Sequence, residues 1–215
     1  MKVDIVIDTV CPWCYVGKRR FDRALQLRPG LALEVGWRPF QLNPAMPSEG
    51  MDRRSYIVEK FGGAERARSV HDTIARIGAE EGIDFNFKKI DRIPNTVDSH
   101  RLTRFAAEHG LQSEAISALF AAYFCDGRDI GDREVLADVG TGVGLDRDDV
   151  AAYLAGDADI DTVLAEDDLA RRLGVNGVPC FIVNRKYAVS GAQSPEVFAQ
   201  VFDLARQDEQ ELAVD

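Results

Sequence analysis

The sequence predicts an α/β domain that is interrupted by a large all-helical insertion. A strand, a helix and a second strand are predicted within residues 1–40, and a helix, two short strands and a last helix within residues 159–207. Between them, residues 41–158 carry apolar side chains at the three- and four-residue spacings of amphipathic helices. We therefore expect the two outer segments to fold together as one α/β domain and the middle segment to form a helical domain.

The first outer segment has the pattern of a strand, a helix and a strand. Residues 3–8 alternate apolar and polar types and are rich in β-branched side chains. A helix is expected over residues 11–27, with Pro12 at its first helical position and Pro29-Gly30 after its end. The run over residues 31–37 predicts a second strand. A right-handed crossover would make the two strands parallel.

The middle segment carries signals for helix starts and stops. A structureless loop of this length is not expected in a compact protein. Glycines are typical of helix ends, and Ser or Asp side chains are typical of N-caps. The expected stops are Gly62-Gly63, Gly110 and Gly127, and the expected N-caps are Ser113, Asp132 and Asp146.

The last segment is predicted to contain a helix, a hairpin and a second helix. The first helix is expected over residues 159–173. Strands over residues 180–183 and 186–189 would turn at Asn184-Arg185. The final helix follows, and the polar residues 207–215 are expected to fray.

Composition and net charge exclude some classes of binding partner. Of the 215 residues, 46% are hydrophobic and 29% charged, as in an ordinary folded protein. The net charge of −10 repels phosphate backbones and anionic lipids, so neither nucleic acid nor a membrane is expected as a partner. Asp4 leaves the first apolar run too short for a secretory signal, and no segment reaches the roughly 18 consecutive apolar residues of a spanning helix. We expect a cytoplasmic protein.

Two of the four cysteines form the motif Cys11-Pro12-Trp13-Cys14 at the start of the first predicted helix. In the cytoplasm such a pair is redox-active or binds metal. Thiol–disulfide exchange needs one thiolate that attacks and a second thiol that resolves the mixed disulfide. We expect Cys11 to be exposed at the helix N-terminus, which favours a thiolate by about 0.3–1 kcal/mol. Cys14 would lie one turn inside, and Trp13 would form an apolar lip.

A zinc site is the alternative interpretation of the cysteine pair. Zinc in proteins normally takes four ligands, commonly two such pairs or one pair with histidines. Cys125 and Cys180 stand alone in the sequence, and His71, His100 and His109 have no metal-ligand spacing. The pattern therefore favours redox chemistry without a metal. A metal-holding binding or chaperone module remains the weaker hypothesis.

A proline directly before the third predicted strand is the second notable feature. It lies in the run Gly177-Val178-Pro179. Because only about 5–6% of X–Pro bonds in folded proteins are cis, the residues alone favour a trans bond here.

Several motifs resemble those of one family, the DsbA-like oxidoreductases, in particular its FrnE-type branch. Residues 8–20, which contain the cysteine pair, resemble the active-site segment of that branch. The other matching segments are 177–179 and 186–193, which resemble its C-terminal signature, and 94–96, 99–101 and 127–132, which resemble its helical insertion. The resemblance covers essentially the whole chain and implies a thioredoxin fold with a large all-helical insertion.

The resemblance also implies roles for individual residues. Cys11 matches the attacking cysteine and Cys14 the resolving one, with Pro12 between them as a supporting residue. Val178-Pro179 would be a cis peptide packed against the cysteine pair, and the backbone of Val178 would pair with an extended substrate segment. Asp8 matches a recurrent acidic position. It would either move protons for Cys14 or only accept hydrogen bonds from nearby backbone.

The function implied is a thiol–disulfide oxidoreductase or isomerase that acts on protein or small-molecule disulfides and thiols, as a monomer or homodimer. No metal or organic cofactor is expected. A glutathione-dependent isomerase or transferase is the alternative, since the related 2-hydroxychromene-2-carboxylate isomerases and kappa-class glutathione transferases resemble this architecture. They typically carry serine at the position of Cys11. Asn95 and Val178 would hold glutathione, which makes it a candidate co-substrate.

The two isolated cysteines are interpreted as structural. Cys180 follows the proline where the family usually has an apolar residue, and Cys125 lies beside Tyr123-Phe124 on an apolar helix. Free cysteine is among the residue types most often buried. We expect both to be small buried side chains outside the redox chemistry.

Overall fold

The computed structural model describes residues 1–212, and its two outer segments contain the helices and strands that the sequence predicts. The first outer segment contains β1 (Lys2–Ile7), α1 (Pro12–Gln26) and β2 (Glu34–Pro39). The middle segment contains β3 (Met51–Asp52), α2 (Arg53–Phe61), α3 (Ala64–Glu80), β4 (Arg92–Ile93), α4 (Val97–Glu108), α5 (Gln112–Phe124), α6 (Arg133–Gly142) and α7 (Arg147–Ala155). The last segment contains α8 (Ile160–Arg172), β5 (Cys180–Val183), β6 (Tyr187–Ser190) and α9 (Pro195–Leu212). Within residues 1–212, no helix is both long and apolar enough to span a membrane.

The two outer segments form one four-stranded sheet in the order β2-β1-β5-β6. β1 runs parallel to β2, as predicted, and antiparallel to β5. The second strand begins at Glu34, three residues later than expected. Leu31 closes a turn with its N–H on the Arg28 carbonyl, and pairing starts only where Glu34 meets Lys2.

Each face of the sheet is covered by helices. On one face α1 and α9 pack together, and the ring of Phe21 lies within 6 Å of the rings of Phe181 and Phe198. On the other face Val6 and Cys180 pack with Ala170 of α8 in a smaller apolar cluster. Most residues of the central strands β1 and β5 are thus buried, whereas the edge strands β2 and β6 keep exposed residues.

The hairpin between β5 and β6 turns at the predicted residues. Asn184 and Arg185 both have positive φ, 49° and 56°, as a two-residue type I′ turn requires. The expected fraying after residue 207 is wrong up to Leu212, because α9 continues and is held to the hairpin. There the Asp208 carboxylate accepts hydrogen bonds from Lys186 and Tyr187. Residues 213–215 lie outside the described part of the chain.

The middle segment is helical but also contains a small sheet that was not predicted. β3 and β4 pair antiparallel over two residues each, which is too short for any periodicity to reveal. Asp132 and Asp146 are N-caps, as predicted. Ser113 is not, because α5 begins at Gln112 with Leu111 as its N-cap. The Gln112 side chain there exchanges two hydrogen bonds with the backbone of Trp37 and so fixes the helix start to β2.

The helical segment shares one apolar core with the sheet. Tyr15 of α1 stacks on Phe120 of α5 with ring centroids 5.2 Å apart, and Phe124 also packs on it. The Glu81 carboxylate, which follows α3, accepts hydrogen bonds from Arg20 and Arg23 of α1. The insertion is therefore packed directly against the helix that carries the cysteine motif.

Candidate active site

The cysteine pair lies at the carboxyl end of β1, where α1 begins. Cys11 is the N-cap of α1 with extended backbone, and Pro12 takes the first helical position, as predicted. The Cys11 N–H donates to the Asp8 carbonyl at 3.0 Å, which turns the chain from strand into helix. Active sites of open α/β sheets gather at this edge.

Both thiols are buried, which corrects the expectation of an exposed Cys11. Its residue exposure is only 4%, and that of Cys14 is zero. The backbone of Val178, which is distant in sequence, covers Cys11. The Val178 carbonyl oxygen lies 3.6 Å from the Cys11 Sγ. Trp13 is half-buried at the edge of the same core.

The backbone N–H groups of α1 do not point at the Cys11 sulfur in this structure. The Cys11 side chain makes no capping hydrogen bond, and the Cys14 N–H donates to the Cys11 carbonyl at 3.0 Å instead. The start of α1 therefore supplies no backbone hydrogen bond to the Cys11 sulfur. What the sulfur contacts is the Val178 carbonyl and the second thiol.

Burial raises the pKa of the Cys14 thiol well above its ordinary value. The hydrogen bond between the two thiols raises this pKa further, as do the charges of Cys11 and Asp8, while a hydrogen bond with the Asp8 backbone lowers it. Cys14 is thus a protonated thiol at neutral pH. A protonated thiol suits a resolving cysteine, which must stay unreactive until a mixed disulfide forms on Cys11.

The Val178-Pro179 peptide bond is cis, as the family resemblance implies and against the expectation from the residues alone. The Pro179 ring packs on Gly17 of α1, where a Cβ atom would come within 2.8 Å of the ring carbon Cγ. Only glycine at position 17 lets the proline loop approach α1 this closely. The Pro179 carbonyl accepts from the Gly191 N–H at 2.8 Å and anchors the loop to the end of β6.

Asp8 is fully buried beside the cysteine pair, with 1% of its surface exposed. Its Oδ2 accepts from the Leu42 N–H at 2.8 Å and its Oδ1 from the Val10 N–H at 3.5 Å. The same Oδ1 lies 3.6 Å from Nε2 of His100, which is also 1% exposed. The hydrogen bonding expected for Asp8 is therefore present, together with a histidine contact that was not expected.

Sequence reasoning missed His100, because it was considered only as a metal ligand. His100 lies on the first turn of α4 in the insertion. The hydroxyl of its neighbour Ser99 is hydrogen-bonded to the hydroxyl of Thr9 in the first segment, with 2.7 Å between the two oxygens. Its only sequence signal was its place in the segment 99–101 that resembles the family's insertion.

A cavity of about 40 Å³ opens beside Asp8, between the end of β1 and the insertion. Asp8 and Val10 form one side, and Tyr56, Lys60 and Pro94 belong to the other. Lys60 is exposed at its rim. The cavity is lined by polar and apolar groups. Asp8, which belongs to its lining, precedes Cys11 by three positions.

Asn95 has its side chain engaged in the local backbone. Its Nδ2 donates to the Met46 carbonyl at 2.8 Å, and its Oδ1 accepts from the Val97 N–H at 3.0 Å. Its neighbours Pro94 and Thr96 line the cavity beside Asp8. A role of Asn95 in holding glutathione stays a prediction.

The two isolated cysteines differ in burial. Cys180 is buried, as expected, in the apolar cluster on the far face of the sheet, and burial raises the pKa of its thiol. Cys125 corrects the prediction, because it is only half-buried at the C-cap of α5. Burial and the charge of Asp126 raise its pKa, and a hydrogen bond with Tyr15 lowers it.

The described residues offer no site for a metal ion. Within residues 1–212 there is no group of three or more His, Cys, Asp or Glu side chains in ligating arrangement. The cysteine pair thus lacks the further ligands that a structural zinc site requires.

A buried Cys-x-x-Cys pair at a helix start, covered by a cis-proline loop in a sheet of this order, defines a DsbA-like thioredoxin domain. Residues 2–203 match the model of the family described as DSBA-like thioredoxin domain. The chain therefore belongs to this family, and its fold is the thioredoxin fold with a helical insertion.

Individual relatives agree with this assignment. The chain is 37% identical to a probable DsbA oxidoreductase from Streptomyces coelicolor, whose crystal structure superposes with a TM-score of 0.89 over 96% of this chain and 90% of that one. It is 29% identical over 144 residues to the uncharacterized protein YwbO of Bacillus subtilis, and the match spans 67% of this chain and 66% of that protein.

Two more distant structures share the fold alone. The cytosolic disulfide reductase DsbM of Pseudomonas aeruginosa, solved with GSH, is 20% identical with a TM-score of 0.67, over 99% of this chain and all of that one. A 2-hydroxychromene-2-carboxylate isomerase is 15% identical with a TM-score of 0.72 over the full length of both chains. Membership in the DsbA-like family is thus established by the match over residues 2–203.

Proposed function

We propose that this protein is a cytoplasmic thiol–disulfide oxidoreductase that exchanges disulfides through Cys11 and Cys14. The observation that carries the proposal is the environment of one sulfur atom. Cys11 Sγ lies 3.6 Å from the Val178 carbonyl oxygen, and Cys11 is close enough to Cys14 to raise the pKa of its thiol. A sulfur bound to Cys11 would thus be flanked by a resolving thiol and by the backbone of the proline loop.

Exchange proceeds in two steps on this arrangement. The Cys11 thiolate attacks a substrate disulfide, forms a mixed disulfide and releases the first substrate thiolate. Cys14, as a thiolate, then attacks Cys11 Sγ, forms the internal disulfide and releases the second substrate thiolate. Both released thiolates take protons from solvent. No metal or organic cofactor takes part.

The substrate would lie against Trp13 and the proline loop. An extended peptide pairs with a free backbone edge by strand addition, and the segment around Val178 offers such an edge beside Cys11. Because Cys11 is 4% exposed, we infer that the substrate is slender at the reacting sulfur: a small thiol or disulfide such as glutathione, or an extended segment of a protein. The DsbM structure with GSH supports glutathione as a candidate co-substrate.

The glutathione-dependent isomerase is the alternative, and one assay separates the two. The purified protein is given glutathione and a small dialkyl disulfide, and in parallel glutathione and 2-hydroxychromene-2-carboxylate. We expect catalysed disulfide reduction that Cys180→Ser retains, because Cys180 lies on the far face of the sheet. Isomerisation that survives Cys14→Ser, without disulfide reduction by the unmodified protein, would replace the oxidoreductase proposal by the alternative.

A further inference from the structure

A buried imidazole nitrogen that has no hydrogen-bond partner within residues 1–212 lies beside the active site. His100 is 1% exposed, and its Nε2 makes no hydrogen bond within the described part of the chain. A buried polar atom without a hydrogen-bond partner is destabilising, and a catalytic role is one reason for a protein to retain one. The cysteine mechanism in its usual form assigns this nitrogen no role.

The Asp8 carboxylate lies close to this nitrogen. Nε2 lies 3.6 Å from Asp8 Oδ1, just beyond hydrogen-bond distance, and catalytic contacts often tighten from such values when substrate binds. Asp8 in turn acts on Cys14, through its charge and through a backbone hydrogen bond to the thiol. Cys14, Asp8 and His100 are all almost completely buried at this end of β1, and His100 and Asp8 are in contact through their side chains.

Charge explains why such an arrangement would be needed. Cys14 must become a thiolate to attack the mixed disulfide, yet it is fully buried beside a carboxylate. Two negative charges in one buried site oppose each other strongly. If Asp8 and His100 together take up the proton that leaves Cys14, the site carries a single negative charge before and after the transfer.

We propose that His100 pairs with Asp8 to receive the Cys14 proton during the second step of exchange, so that His100 is a positioning residue that acts through Asp8. The inference rests on the proposed function. The S–H bond of Cys14 breaks and the proton passes to the Asp8–His100 pair. The sulfur forms its bond to Cys11 Sγ, and the bond from Cys11 to the substrate sulfur breaks. The proton leaves the pair for solvent after the substrate thiolate has departed.

Other titratable groups also face Asp8 and bear on any pH dependence. Tyr56 and Lys60 of α2 line the cavity beside it, and the charge of the Asp8 carboxylate reaches Tyr123 of α5, whose pKa is raised mainly by burial. None of these is the unpartnered nitrogen. The decisive comparison is therefore between variants of His100 and Asp8 at matched pH.

The test follows the two steps separately by stopped flow, with dithiobis-nitrobenzoate as a disulfide whose thiolate product is coloured. The fast phase reports the attack by Cys11. The phase that Cys14→Ser removes reports the attack by Cys14. At about pH 7 we expect His100→Gln to leave the first phase unchanged and to slow the second about tenfold or more, since positioned acid–base groups contribute about 10²–10⁴-fold.

Three controls make the outcome specific. His109→Gln changes the exposed histidine at the other end of α4, and both phases should keep their rates. Asp8→Asn should slow the second phase as well, and the double variant Asp8→Asn with His100→Gln should be no slower than Asp8→Asn, because the two residues act as one unit. Raising the pH should shrink the His100→Gln deficit, because hydroxide then removes the Cys14 proton directly.

An intact first phase shows that each variant is folded. A second phase that keeps its rate in His100→Gln, or a deficit that is equal at every pH, would overturn the inference while leaving the oxidoreductase intact. Additive slowing in the double variant would overturn it too. If the unmodified protein shows no first phase, the proposed function itself fails, and this inference fails with it.

Discussion

Replacing Cys11 by serine is expected to reduce disulfide exchange to the uncatalysed background. The hydroxyl of serine is a poor nucleophile without an adjacent base, and the groups nearest to this side chain are a carbonyl oxygen and a protonated thiol, neither of which removes its proton. We expect a loss of roughly 10³-fold or more, about 4 kcal/mol of transition-state stabilisation at about 1.36 kcal/mol per factor of ten. The measurement is glutathione-driven reduction of a small disulfide.

The matched control for this prediction is Cys125→Ser. Cys125 is half-buried and is the more accessible of the two isolated cysteines, so it is the one most able to react in place of Cys11. Its replacement should leave the rate nearly unchanged. Full activity in Cys11→Ser, or equal losses in the two variants, would remove Cys11 from the attacking role.

Replacing Cys14 by serine is expected to stop turnover at the mixed disulfide. Cys11 still attacks the substrate, but no thiol within the site can release it. After exposure to oxidised glutathione, mass spectrometry should show one glutathione per chain, bound at Cys11. The unmodified protein should instead lose two hydrogens and carry no adduct, because Cys14 closes the internal disulfide.

The adduct also shows whether Cys14 resolves the mixed disulfide or takes no part in the exchange. If Cys14→Ser turned over small disulfides at the original rate, free glutathione in solution would be resolving Cys11, and Cys14 would serve only the packing of α1. Serine at position 14 removes a buried thiol that contacts the Asp8 backbone, so the melting temperature of the variant is measured alongside. An unchanged fold with a trapped adduct is the expected combination.

Much of this architecture could be predicted because its signals are local. β-branched alternation identifies β1, Pro12 marks the start of α1, and Asn184-Arg185 marks the hairpin turn, each within a few residues of the element it defines. The assignment to the DsbA-like family rests on longer motifs and is confirmed over residues 2–203.

The features that could not be predicted depend on contacts between distant parts of the chain. Cys11 lies at a helix start, where local rules indicate exposure, but the Val178 carbonyl, 167 residues away, covers its sulfur. The start of α5 is shifted by the Gln112 side chain, which bonds to β2. No local pattern contains either contact, because each arises only when the proline loop or the insertion packs on the sheet.

The active site as a whole also depends on contacts between distant parts of the chain. The insertion contributes to the site through His100 beside Asp8 and through the hydrogen bond between Ser99 and Thr9. We infer from these contacts that the insertion influences the protonation of the resolving cysteine.

The redox equilibrium of the Cys11–Cys14 pair tests the central claim most directly. The protein is equilibrated in graded mixtures of reduced and oxidised glutathione, and the fraction with an internal disulfide is measured by acid quenching and mass spectrometry. We predict a two-electron transition between dithiol and disulfide. A midpoint near the thioredoxin value of about −270 mV would indicate a reductase or isomerase, and one near the DsbA value of about −120 mV an oxidant. Failure to form the internal disulfide at any ratio would contradict the account and favour the glutathione-dependent alternative.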